Sequence, residues 1–194
     1  MRKGLGLLLL VLTLMGCTPR RQAADDDGNL PFVFRSLNLQ QADDKGRPSW
    51  KMTSPEARYD LQRRVAEALE PRGVIYRQGD PVYRLSASTA TVLNDGELIL
   101  LEGRIRIEKV GRDPVLITAS RVRWFPDRAT MDIDRHPRAI DPYNRLVARY
   151  ARFLIDQKQL ELRGSPELQR WSERVNPLTH PGSCLLYTSP SPRD

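Results

Sequence analysis

Few side chains in this chain of 194 residues have the type and spacing for chemistry. His136 and His180 are the two histidines, and neither has a His or Cys neighbour at metal-ligand spacing. Ser86, Ser88 and Ser120 lack the sharp strand-to-helix turn that presents a nucleophilic hydroxyl. Asp132 and Asp134 fall on one face of an expected strand, where carboxylates are ordinarily just solvated. Asp25-Asp26-Asp27-Gly28 has the acidic start of a calcium loop without its full pattern or distal Glu. The sequence carries no Gly-rich phosphate loop. The reading is a protein that is not an enzyme and needs no cofactor or metal.

The residue with the clearest chemistry is Cys17. It follows a positive Met1-Arg2-Lys3 and an apolar run from Leu5 to Met15 interrupted only by Gly6 and Thr13. That run is too short for a bilayer core, which takes roughly 20 residues. It suits the h-region of a secretory signal. Leu14-Met15-Gly16-Cys17 resembles a lipobox, which implies a lipoprotein signal peptide over 1–16 and lipidation at Cys17. An ordinary signal with a chance cysteine, or a short membrane anchor, is the plainer alternative. Each buried acyl CH₂ contributes about 0.8 kcal/mol, so several chains hold a protein on a membrane. Residues 17–30 are polar and read as a flexible tether.

The other end is expected to be foreign. Cys184–Asp194 resembles, codon for codon, a translated sequencing-library transposase adapter, and residues 176–183 before it are an irregular Pro-rich end. Setting 184–194 aside leaves Cys17 alone, with no disulfide framework, and leaves the natural C-terminus undefined. Removing Arg2, Lys3, Arg193 and Asp194 takes the 31 basic and 24 acidic residues to 28 and 23, a net charge of +5. Plain solubility, attraction to an anionic membrane or glycolipid, and nucleic acid are the three readings of that excess. A lipoprotein signal argues against nucleic acid.

The elements that would position anything in this chain are strands. From Pro31 the hydrophobic period is two, as in Leu101-Glu-Gly-Arg-Ile105-Arg-Ile107-Glu108 and Ala119-Ser-Arg-Val122-Arg-Trp124. Turn signals interrupt the runs at 78–81, 94–96, 111–114, 126–127, 141–144 and 164–166. Only Asp60 to Leu69 has helical spacing, ending at Pro71. Related phrases open at Ala57, Ala87, Ala119 and Ala148, at spacings of 30, 32 and 29 residues. Two are followed by Leu-x-Leu-x-Gly runs, Leu98–Gly103 and Leu160–Gly164. The expected fold is all-β over 31–175: stacked hairpins forming an elongated sheet whose two halves face each other, apolar within and Arg/Glu-rich outside. Arg104, Arg106, Arg121 and Arg123 alternate outward, either as a solvated face or as contacts to phosphates.

The ordered phrases Trp50-Lys-Met-Thr-Ser-Pro-Glu-Ala57-Arg-Tyr-Asp, Tyr76-Arg-Gln-Gly-Asp-Pro-Val-Tyr-Arg-Leu-Ser-Ala87, Asn94 to Ile107, Leu116-Ile-Thr-Ala119 and Leu146-Val-Ala148 through Gly164 resemble LptC, the membrane-anchored periplasmic component of the lipopolysaccharide export machine. The resemblance spans about residues 32–171 and implies a twisted, open β-jellyroll. It implies transport without chemistry: lipopolysaccharide received from an inner-membrane ABC transporter, its lipid A acyl chains carried in an apolar groove, and delivery to an LptA-like bridge protein joined edge to edge. Ile99, Leu101, Ile105, Ile107, Val122, Trp124 and Phe153 are the groove candidates, or ordinary sandwich core. Leu160, Leu162, Leu168 and Trp171 are candidates for the partner edge, or peripheral packing. The lipobox replaces the transmembrane helix of the better-known members and fits a cyanobacterium-like lipoprotein form. The role implies the periplasmic face of the inner membrane, whereas Thr18 after Cys17 leaves the outer membrane open. The rival is a structural or adaptor lipoprotein whose β-domain binds only protein. A soluble LptA-like bridge role is disfavoured by the anchor.

Overall fold

A computed structural model describes residues 32–178; Cys17, the signal, the tether and the 184–194 tail lie outside the described residues. The strands are β1 Phe32–Phe34, β2 Leu37–Ala42, β3 Pro48–Ser54, β4 Glu56–Asp60, β5 Val65–Leu69, β6 Arg72–Arg77, β7 Asp80–Ser86 and β8 Thr89–Leu93. There follow β9 Leu98–Lys109, β10 Leu116–Phe125, β11 Thr130–Asp134, β12 Arg138–Ile140, β13 Asn144–Val147, β14 Tyr150–Leu154, β15 Gln159–Arg163 and β16 Glu167–Arg170. All pair antiparallel in one unclosed sheet.

The pairing resolves this sheet into two halves. One runs β1-β4-β5-β8-β9-β10-β11-β14-β15. The other runs β2-β3-β6-β7-β9-β10-β12-β13-β16. The long strands β9 and β10 belong to both: Ile99–Glu102 and Arg121–Trp124 pair in the first half, Ile105–Glu108 and Leu116–Ala119 in the second. The chain therefore crosses a single fold line repeatedly, and the repeat in the sequence marks those crossings. Ala57, Ala87, Ala119 and Ala148 lie at or just beyond the line on strands running from the second half into the first. Three of them, Ala57, Ala87 and Ala148, are buried where the halves converge.

Returning strands cross at Pro71, Gly103, Pro137 and Gly164. Their corner backbone is left-handed, with φ of 45° at Glu70, 77° at Gly103, 60° at His136 and 76° at Gly164. A Cβ on Gly103 would meet Ser88 Oγ at 2.5 Å, so glycine is required there on two counts. Corner backbones bond to one another along the line: Glu70 N–H to Ser88 O, Ser88 N–H to Glu102 O, His136 N–H to Arg149 O and Arg149 N–H to Gly164 O. The fold line thus satisfies the polar groups that a bend in a sheet would otherwise orphan.

The expected helix over Asp60–Leu69 is not formed. Residues 61–64 turn, with Arg64 at φ 54°, and β5 pairs with β4 and β8. The helical spacing puts Leu61, Val65, Ala68 and Leu69 on one face, whereas the strand buries Ala66 and Ala68, and pairing with the neighbouring strands outweighs a short helix's propensity. The other turn signals lie at strand ends or chain turns, including short 3-10 turns at Asn94–Gly96 and Pro126–Arg128.

Candidate functional site

Inward residues of both halves form the interior. Ile99, Leu101, Ile105, Ile107, Val122, Trp124 and Phe153 all lie in it, fully buried beside Met131 and Ile133. Burying each such side chain contributes roughly 1.5–3 kcal/mol. The halves touch through two aromatic pairs. Trp50 of β3 meets Trp124 of β10 edge to face, centroids 5.5 Å apart. Tyr83 of β7 meets Phe153 of β14 at 5.1 Å. Burial pushes the Tyr83 phenol above the ordinary tyrosine range.

Opposite the fold line the halves are clasped by polar side chains. Arg77 Nη2, at the end of β6, donates to Ile155 O at 3.0 Å and also to the carbonyl of Asp156, in the turn after β14. Gln41 Nε2 of β2 donates to Asp127 Oδ1 at 3.1 Å, and Gln41 Oε1 accepts from Trp50 Nε1. Beneath these clasps lies a cleft of about 290 Å³ lined in part by Trp50, Ile75, Trp124 and Ile155. The buried Trp124 Nε1 has no hydrogen-bond partner among the described residues.

The interior is open at its N-terminal end. A cavity of about 440 Å³ lies between β1, β4, β5 and β8 on one side and β2 and β3 on the other, lined by Phe34, Leu37, Leu39, Trp50, Tyr59 and Val92 among others. None of these is among the groove candidates of the sequence. Leu37-Asn38-Leu39 is the signal that marks the mouth. The edge strand β1 exposes Phe32 and Val33 at 55% and 62%.

At the other end, β15 and β16 are the last strands of the two halves. Leu160 and Leu162 lie opposite Phe153 and Ala151, and Leu168 opposite Leu146. They therefore share the inward face, half-buried for Leu160 and Leu162 and 57% exposed for Leu168. Trp171 lies just past β16, and its N–H donates to Tyr143 O at 2.8 Å, prolonging the edge pairing.

Asp132, Asp134, Ser88 and His136 hold structural positions, and His180 lies outside the described residues. Asp132 is paired with Arg152 at 2.8 Å and with Arg123 at 3.8 Å, and Asp134 with Arg123. Asp132 holds the Arg152 guanidinium above its ordinary pKa. Ser88 Oγ accepts from Arg104 N–H at the fold line, and His136 is a corner residue. Among the described residues no group of three or more His, Cys, Asp or Glu could hold a metal ion.

The described residues thus form an unclosed sheet folded into two apolar-faced halves. The family profile described as "Lipopolysaccharide-assembly, LptC-related" matches residues 5–165. The chain belongs to this LptC-related family. Among solved structures the fold is similar to LptH of Pseudomonas aeruginosa, described as the LptA homologous periplasmic component of the conserved lipopolysaccharide transport device. That match has a TM-score of 0.53 at 14% identity and covers 67% of this chain and 98% of the other. No curated protein matches the sequence. The LptC-related membership and the LptA-like open jellyroll tie this protein to lipopolysaccharide transport.

Proposed function

We propose that this domain is a non-enzymatic conduit for lipopolysaccharide. It takes the lipid from an inner-membrane ABC transporter, shelters the acyl chains between its half-sheets, and passes them to an LptA-like bridge protein. The observation that carries this reading is the apolar cavity of about 440 Å³ at the N-terminal end, continuous in register with the interior. An apolar space of that kind gains about 0.8 kcal/mol for each CH₂ it takes from water. The outer edges of β1, β2, β15 and β16, which pair with no further strand among the described residues, offer backbone groups to a neighbouring protein, the usual basis of strand addition. Lipidated Cys17 would hold the domain at the periplasmic face of the inner membrane, or of the outer membrane if Thr18 directs it there.

One observation favours the adaptor reading. Every groove candidate named from the sequence is tightly buried, as in a solid core. In the transport reading these residues meet lipid only when the halves part, and the Arg77 and Gln41 clasps are the contacts that must yield. The test is reconstitution. Vesicles holding the ABC transporter and this protein should release lipopolysaccharide to soluble bridge protein in an ATP-dependent manner. Transfer that proceeds equally without this chain contradicts the proposal.

A further inference from the structure

The two outer faces of the folded sheet handle charge differently. On the first half, arginines stand beside carboxylates: Arg121 with Glu102 at 3.6 Å, Arg123 with Asp132 and Asp134 at 3.8 Å, and Arg152 with Asp132 at 2.8 Å. Arg58 faces Glu67, and Arg152 faces Glu161, across the register. On the second half, Lys51 of β3, Arg72 of β6, Arg84 of β7 and Arg106 of β9 line one shallow cleft of about 570 Å³. The one carboxylate among its lining residues is Glu108, ion-paired with Arg106 at 2.9 Å and facing Arg84 across the register, whereas Lys51 and Arg72 face none. Among the described residues Lys51, Arg72 and Arg84 make no ion pair.

The register fixes the spacing of these cations. Lys51 and Arg84 flank Val74, and Arg72 and Arg106 flank Ser86. Two strand spacings separate each pair, about 10 Å, and diagonal neighbours lie about 7 Å apart. Like charges so placed repel, and the same chain neutralises the equivalent lattice on its other face. The cations project from one sheet face rather than converging on a point, so they match a plane of anions better than a single ion. Tyr76 lines the same cleft, and its apolar ring with a polar tip suits a lipid–water interface.

We propose that this outer face of the second half-sheet binds the phosphate-bearing headgroups of an anionic lipid bilayer. It rests in part on the lipid anchor proposed above: the fifteen residue steps from Cys17 to Phe32 reach at most about 50 Å, so the domain stays beside a membrane. Docked this way the domain lies on the bilayer by the side opposite its interior. Both mouths and the edge strands stay free.

The test uses the full chain made cell-free, without acylation, and co-sedimentation with phosphatidylcholine vesicles with or without phosphatidylglycerol. Binding is expected only with phosphatidylglycerol, and it should weaken with added salt. At roughly fivefold per basic residue, Lys51→Ala/Arg72→Ala/Arg84→Ala should weaken it on the order of a hundredfold. Arg121→Ala/Arg123→Ala/Arg152→Ala removes the same charge from the other face and should change it by less than about threefold. Equal losses in the two triple variants, or equal binding to neutral vesicles, would overturn the proposal. So would displacement by inorganic phosphate at constant ionic strength, which marks a discrete ion site, or equally tight, variant-sensitive binding of duplex DNA. A chain that takes up lipopolysaccharide without preferring anionic vesicles refutes this face alone. One that binds anionic vesicles but takes up no lipopolysaccharide refutes the transport reading and leaves the face standing.

Discussion

Trp50 and Trp124 cross the interior edge to face, at an interplanar angle of 66°, and so join strands that never pair: β3 of the second half and β10 where it runs in the first. Truncating a buried Trp costs about 3–5 kcal/mol. The double variant Trp50→Ala/Trp124→Ala should cost about 0.5–1.5 kcal/mol less than the sum of the singles, the coupling of an aromatic pair. Guanidinium unfolding of the four proteins measures it. Strict additivity would mean that the halves do not cooperate through this contact.

Arg77 tests whether the seam is a clasp. Arg77→Ala removes its bonds to the carbonyls of Ile155 and Asp156 and should cost about 1 kcal/mol of stability. If the halves must part for loading, the variant takes up a fluorescent fatty-acyl probe more readily than the parent protein. Adding Gln41→Ala, which removes the bond to Asp127, should enhance the effect. Unchanged or weaker uptake in both variants contradicts a clasp.

Gly103 carries the corner of the longest strand. Gly103→Ala puts a Cβ on a residue at φ 77° and against Ser88, and should destabilise by about 1–3 kcal/mol. Ser88→Gly in the same chain relieves the clash but not the backbone cost. It should restore part of the loss, as read by thermal unfolding. Full rescue would assign the whole effect to the contact.

Tyr83 gives the fold an alkaline limit. Burial raises its pKa in the folded state above the ordinary value near 10.0. Its contribution to stability is complete below that value and is lost as pH rises through the folded one, because the unfolded chain ionises first. Tyr83→Phe should flatten the fall in denaturation midpoint above about pH 10. An unchanged pH profile would place the alkaline limit elsewhere.

Much of this architecture was legible as alternation and spacing. The 30-residue phrases opening at Ala57, Ala87, Ala119 and Ala148 announced repeated strand crossings, and the glycines closing their return strands sit at the corners. Asp60–Leu69 offers apolar residues to both periods, Leu61, Val65, Ala68 and Leu69 at helical spacing and Ala66 and Ala68 on one strand face, and only pairing with β4 and β8 decides between them. The bent strand was also hidden: nothing local in Leu98–Lys109 shows that its two ends serve different half-sheets. The groove candidates share one buried cluster, and period two cannot distinguish a filled core from a groove. Arg77 and Gln41 were invisible for a different reason: their partners lie 78 and 86 residues away, a separation without any local pattern.

Site-directed photo-crosslinking in cells tests lipid carriage most directly. A photoreactive residue is placed in turn at Leu39 in the N-terminal mouth, Ile105 and Trp124 in the interior, and Leu162 at the C-terminal end, with Arg123 as an outward control. If the half-sheets carry acyl chains, the four inward positions give lipopolysaccharide adducts and Arg123 gives none. An absence of adducts at every inward position, with the protein folded and at its normal level, would contradict lipid carriage and leave a domain that binds only protein.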